Sequence, residues 1–391
     1  MTTEALTSKK NESLKLTVDW LTNSAIQNSS TNKNLRGGVH AWFDRQKGKY
    51  AFLYSEITGY AINTFLFLND LYENDHYLKK AKLAADWLLN IASDESGCIK
   101  TRVGSDFETE SYFDSWTFTF DNWIVLYALC NLYGVTREKV YLESAKRLGN
   151  FLMDHTVRPD GLLVPIFNMK DRKTESPDDK WSRQSGSFHA KALFGLLRLF
   201  EFTQNNKYLN YAQRLAKAVL AIQKPDGRFV TQRNNNSTLL HPHFYTLEGL
   251  LFFGIQQNEP EYIEAAAKGL AWAFNSQTKD GAVFCYYENG NFLPFVRVDV
   301  LAQALRIGSL LVQTDKPLAS LGDSLHRLRT KLLSFQVKTG SQRGGFLYGQ
   351  EENGAVHDHV NAWVTMFAVQ ALQLYDAATS KQPAYRFNFF V

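Results

Sequence analysis

Histidines and carboxylates recur in this chain of 391 residues where long apolar runs begin. Glu56 lies in Tyr54-Ser55-Glu56-Ile57-Thr58-Gly59-Tyr60, and Asp121 in Phe118-Thr119-Phe120-Asp121-Asn122-Trp123. His189 follows Ser187-Phe188, His241 and His243 open His241-Pro242-His243-Phe244-Tyr245, and Asp299 follows Arg297-Val298. The last group is His357-Asp358-His359-Val360-Asn361-Ala362-Trp363. Histidine titrates closest to neutral pH, so an imidazole on each side of a carbon could remove a proton from one face and return one to the other. His241 and His359 are the candidates for that work, with Glu56, Asp121 and Asp299 orienting imidazoles or holding hydroxyls. A carboxylate pair does other chemistry: one donates a proton while its partner acts as base or nucleophile, which cleaves glycosides. Glu56, Asp121, Asp299 and Asp358 could supply such a pair. Tyr60, His189, His243, Trp123, His357, Asn361 and Trp363 are expected to bind substrate, since aromatic faces and polar edges suit sugar rings.

Each residue also has a plainer use. Asp at a helix start often caps it, Glu in a first turn complements the helix dipole, and a single His can sit satisfied in a core. Glu248, deeper in its run, could pair or point outward. The inference rests on the convergence of these groups. No metal is expected, because His241/His243 and His357/His359 stand two apart and do not share a helix face, and no zinc spacing occurs. No phosphate-binding glycine motif follows a strand, so no nucleotide or other cofactor is expected.

The elements that must carry these groups repeat. Tyr77-Leu78 with Ala81, Tyr141-Leu142 with Ala145, Tyr208-Leu209 with Ala212, and Tyr262-Ile263 with Ala266 each open an amphipathic helix pattern. About 20 residues on comes a turn glycine: Gly97, Gly161, Gly227 or Gly281, three of them in Asp-Gly. Gly37-Gly38 and Gly344-Gly345 complete six turn points spaced by about 54 to 66 residues. After each glycine comes a short β-like or irregular stretch and then a helix apolar on nearly all sides, as in 60–72, 123–133, 190–202, 246–255 and 362–375. A helix apolar all round is a buried one. Six amphipathic and six buried helices predict an all-α fold, the (α/α)6 toroid, as a single domain over 1–391. A linear solenoid needs no all-apolar inner set. Inner helices running in one direction bring their first turns, and hence the groups above, to one mouth.

Composition excludes other classes. The net charge is +4 with Lys and Arg scattered, so no nucleic-acid stripe exists. Cys98, Cys130 and Cys285 form no C-x-x-C pair and read as buried reduced thiols. The polar Met1–Asn11 stretch has no apolar signal core, and no window is long and apolar enough for a membrane span. A cytoplasmic location is expected, with a small-molecule or oligosaccharide partner.

Ser55-Glu56-Ile57-Thr58-Gly59-Tyr60, Phe120-Asp121-Asn122-Trp123, and Asn361-Ala362-Trp363 followed by Met366-Phe367 resemble the six-hairpin toroid superfamily over essentially the whole chain. That superfamily includes N-acylglucosamine 2-epimerases, D-glucuronyl C5-epimerases, unsaturated-uronyl hydrolases and many glycoside hydrolases, and the motifs look similar to toroids of polysaccharide biosynthesis. The 2-epimerases tend to carry His-Pro-Gly-His with a Glu shortly after. Here His241-Pro242-His243 with Glu248 lacks the Gly and shifts the second His. Gly344-Gly345-Phe346 is similar to turns of the isoprenoid toroids, whose acidic and zinc motifs are missing. The resemblance implies a carbohydrate-active enzyme. The histidines favour a sugar epimerase over a glycoside hydrolase or lyase with paired carboxylates. The third alternative is a non-catalytic glycan-binding toroid.

Overall fold

The computed structural model describes residues 3–103, 115–314, 321–380 and 389–391. They hold twelve α-helices, grouped in two compact units that interleave along the chain. Of the described residues, the larger unit takes 29–39, 52–103, 115–272 and 389–391; the smaller takes 3–28, 40–51, 273–314 and 321–380.

Helix α1 (Thr3–Asn23) belongs to the smaller unit. The larger holds α2 (Ser55–Tyr72), α3 (Asp75–Trp87), α4 (Thr119–Thr136), α5 (Lys139–Thr156), α6 (Ala192–Thr203), α7 (Asn206–Leu220), α8 (Leu240–Gln257) and most of α9 (Pro260–Phe274). Every residue of α2 from Ser55 to Leu68 and of α4 from Thr119 to Leu132 is buried, as the all-apolar pattern requires. α2 packs on α4, α4 on α6 and α6 on α8, so the apolar helices are neighbours. The amphipathic helices cover them. The repeated Ala81, Ala145, Ala212 and Ala266 are all fully buried, the small side chain letting a covering helix come close. Tyr127, Phe194 and Phe252 fill the middle; Phe194 stacks on Phe252 at 4.0 Å and on Phe390 at 5.6 Å.

The smaller unit completes the helices with α10 (Val298–Leu311), α11 (Leu321–Ser334) and α12 (Ala362–Thr379). α10 and α12, the buried members, pack on each other, and α1 and α11 lie against α12. Among the described residues no helix is long and apolar enough to cross a membrane. Cys98, Cys130 and Cys285 are free and buried, as expected.

Short strands feed the buried helices. Leu53–Tyr54 pairs antiparallel with Arg102–Val103 and runs into α2; Trp116–Phe118 pairs with Ile166–Asn168 and runs into α4. In the smaller unit His359–Asn361 pairs with Trp42–Asp44 and runs into α12. The first helical N–H groups, which have no partner within their own helix, are taken by loop carbonyls. Ser55 donates to Thr101, Thr119 to Pro165, Val298 to Tyr348 and Ala362 to Ala41. These bonds fix the first turns, where the chemistry-bearing residues sit.

The turn glycines have a steric reason to recur. Gly227 (φ 101°) and Gly344 (φ 99°) both need a left-handed backbone, and both press on the next covering helix. A Cβ on Gly227 would stand 2.6 Å from the Lys268 carbonyl oxygen, and one on Gly344 2.0 Å from that of Leu16. Gly344→Ala should therefore cost more than the roughly 1–3 kcal/mol of backbone strain alone. Gly340→Ala, with φ 80° and open space around it, should cost only the strain. Equal urea midpoints for the two variants would count against this packing.

Candidate functional site

In the larger unit the strand before α2 places Glu56 in the first helical turn, with its side chain only 9% exposed. Its carboxyl is hydrogen-bonded to Tyr54 and Tyr60, and Lys191 lies near enough to act on its charge. Burial dominates and pushes the Glu56 carboxyl up to about 7, against the opposing pull of those three groups. Asp121 occupies the first turn of the neighbouring α4 and is buried as well. Burial and then the charge of Glu56 raise it well above the usual carboxylate range, while Arg102 and Thr101 pull it back. Asp121 Oδ2 is buried with no hydrogen-bond partner among the described residues. Two interacting buried carboxyls hold at least one proton near neutral pH, which supplies an acid and a base side by side.

The surrounding wall is aromatic. The Tyr60 hydroxyl donates to the Tyr245 hydroxyl oxygen at 3.1 Å. Tyr245 packs on Phe120 at 4.7 Å and on His241 at 4.4 Å, and Trp181 stands edge-on to His241 at 6.0 Å. Glu56, Asp121, Tyr60 and His241 thus belong to one contiguous wall. Arg102 lies over the Phe52 ring at 3.9 Å and reaches toward Tyr54 at 5.7 Å, on the strand beside Glu56.

Three residues expected to bind substrate in this unit are buried in its packing. His243 is saturated by the backbone: Nδ1 accepts from Phe229 N at 3.3 Å, and Nε2 lies 3.2 Å from the Gly269 carbonyl oxygen. Burial lowers it to about 4, and it is a structural residue. Trp123 is buried against α6, where a Cβ on Gly195 would meet its ring at 3.2 Å, so no sugar reaches it. His189 is fully buried and lowered to about 3 by that burial, with Nδ1 3.3 Å from the Gly186 carbonyl oxygen. It stays neutral at physiological pH.

The smaller unit has its own cluster. Asp299, expected to be catalytic, is committed to four donors: Arg297 through Nε and Nη2, its neighbour Val300 N, and Trp363 Nε1 at 3.1 Å. A fully buried carboxylate so occupied orients Arg297 and Trp363 and has no lone pair to spare for a proton. Arg297 in turn lies over the Tyr348 ring at 5.0 Å. His359 is half-buried between Trp42 at 5.3 Å and Tyr348, which stacks on it at 5.1 Å. Burial, reinforced by His357, lowers His359 to about 4, so it can accept a proton at neutral pH but brings none. His357 Nε2 lies 2.6 Å from Glu351 Oε1. Asn361 is the N-cap of α12, its Oδ1 accepting from Val364 N at 3.2 Å. That capping commits its Oδ1, while its Nδ2 is buried with no hydrogen-bond partner among the described residues.

Sequence reasoning missed Tyr54, Arg102, Tyr245 and Lys191. Lys191 left a signal, a lone cation inside the otherwise apolar run 190–197. Glu248, read as paired or outward-facing, is buried and paired with Lys191 at 2.6 Å.

Residues 17–190 match the family model described as Glycosyl hydrolase family 76. No curated protein matches the chain. Among solved structures, cellobiose 2-epimerase from Bacillus thermoamylovorans is 15% identical, with a TM-score of 0.75 over 94% of this chain and 99% of that one. Cellobiose 2-epimerase from Spirochaeta thermophila is 14% identical, with 0.76 over 97% and 98%. An inactive variant of an alpha-1,6-mannanase of Salegentibacter sp., with two adjacent aspartates changed to asparagine and alpha-1,6-mannotriose bound, is 12% identical, with 0.62 over 94% and 99%. The family and these neighbours are enzymes of the (α/α)6 toroid superfamily, and the fold of this chain is that toroid.

Proposed function

We propose that this chain is a carbohydrate-active enzyme, one catalytic domain over 1–391, that cleaves a glycosidic bond with Glu56 and Asp121 as its acid–base pair. The observation that carries this reading is the pair itself: two buried carboxyls in the first turns of neighbouring helices, both raised by burial and Asp121 further by the charge of Glu56. The protonated member donates to the glycosidic oxygen as the C–O bond breaks. The ionised member takes a proton from the water that attacks the anomeric carbon. The family match spans both residues, which supports the assignment. The pair differs from the adjacent aspartates of the mannanase. The only Asp-Asp in 17–190 is Asp178-Asp179, which is exposed, with Arg233 on Asp178 and Arg183 on Asp179. Asp121 is followed by Asn122, whose amide is bound to Ile99 N, Thr117 Oγ1 and Phe118 O. The second carboxyl is then Glu56, from another helix.

The epimerase reading, first on sequence, becomes second. It relied on several imidazoles, and burial leaves His189, His243 and His359 short of the proton affinity that an acid needs near pH 7. His241, beside Tyr245, is what still favours it.

One experiment separates the readings. Oligosaccharides and free sugars are incubated in D₂O and followed by NMR. New reducing ends without deuterium on a ring carbon are expected, whereas deuterium gained with no bond cut would overturn cleavage in favour of epimerisation. Saturable binding of the same oligosaccharides with no turnover would instead support a binding toroid.

A further inference from the structure

We infer that Lys191 is a positioning residue for the acid–base pair: a buried cation, locked by Glu248 and by the main-chain oxygen of Val391, that backs the Tyr245–Tyr60–Glu56 line. Lys191 sits just before α6 and is 2% exposed, and the Glu248 side chain is 0% exposed. Its Nζ donates to Glu248 Oε2 at 2.6 Å and to Val391 O at 3.0 Å. The rings of Phe194, Phe390 and Tyr245 surround it at 4.8, 5.0 and 5.5 Å. Phe390 is held from behind by its N–H, which donates to the Tyr127 hydroxyl at 3.2 Å. Three residues before Glu248 on the same face of α8, Tyr245 takes the Tyr60 hydroxyl, and Tyr60 is bonded to Glu56.

A core needing only to pack would not use this pair. Desolvating two charges costs about as much as their attraction returns, and apolar residues of similar volume would serve as well. Every other position of α8 from Phe244 to Gly254, Thr246 apart, is apolar, aromatic or glycine. The ion pair therefore stands out as something packing does not demand, and its cation acts on Glu56. The other groups facing Glu56 are Tyr54, Tyr60 and Asp121, with Arg102 near Asp121 and Glu248 near Tyr60.

The inference rests on Glu56 belonging to the acid–base pair, which Glu56→Gln tests separately through activity. The positioning role itself is read without substrate, from the full chain labelled with ¹³C at the glutamate carboxyl carbon and titrated by NMR, with the Glu56 signal assigned by its loss in Glu56→Gln. In Lys191→Met/Glu248→Leu the cation is gone, and the Glu56 midpoint should rise by about one unit. In Glu248→Gln the amide oxygen still accepts from the ammonium, as the Val391 oxygen does, so the cation stays without its counter-charge and the midpoint should fall. Opposite shifts support the role. A midpoint unchanged in both variants would overturn it, and if the double variant does not fold, the absence of a downward shift in Glu248→Gln overturns it alone.

Discussion

Glu56→Gln is expected to lower kcat by about 10²–10⁴-fold with little change in KM, because an amide of the same shape can bind but not donate a carboxyl proton. Asp121→Asn should cost a similar factor, since the two carboxyls share the work. His243→Gln should leave kcat near that of the parent chain, because its ring nitrogens serve the backbone. The pH profile gives a second check. With Glu56 as the donor, turnover should fall as pH rises above about 7, where its proton is lost. The same proton has a stability consequence of fixed sign. Glu56 holds its proton to about 7 in the folded chain against 4.5 when exposed. Its contribution to stability is therefore fully present below 4.5 and is lost as pH rises through about 7. Full activity in both Glu56→Gln and Asp121→Asn would end the carboxylate mechanism. Loss of activity in His241→Ala alone, with the carboxylate variants intact, would return the chemistry to an imidazole.

Glu248→Leu should be the most destabilising single change at this end of the larger unit, by about 3–5 kcal/mol, because it strands the Lys191 ammonium in an aromatic enclosure. The folded chain can then only shed the proton or open the site to water. Stability of this variant should rise with pH, since the unfolded chain binds that proton more tightly than the folded one. Adding Lys191→Met should recover most of the loss, because two apolar side chains fill the space the pair occupied. Urea midpoints of the single and double variants measure both effects. A loss under about 1 kcal/mol in Glu248→Leu would mean that water reaches the pair in the folded chain.

The sequence alone determined the repeat. Six glycine turns, the Tyr and Ala positions of the covering helices and the apolar runs between them were legible because each follows from local chemistry. A left-handed φ admits glycine, a close helix approach admits alanine, and a helix apolar on all sides has to be buried. The same register pointed to Glu56, Asp121, Tyr60 and His241, since residues opening equivalent helices stand at equivalent places.

Which of those residues can react was decided by tertiary structure. His241 and His243 are two apart on one helix start and look alike in sequence. A turn of 3.6 residues aims them differently, one beside Tyr245 and the other between Phe229 and Gly269. Asp121 and Asp299 both sit in first turns. Asp121 keeps a bare buried oxygen next to Glu56, while Asp299 is consumed by Arg297 and by Trp363, 64 residues away. Lys191 and Glu248 meet across 57 residues. Proton affinity depends on burial and on the charge of the nearest neighbours, and for these groups the neighbours arrive from other helices. Local pattern therefore places a side chain at a level in the ring, and only the packed chain determines what faces it there.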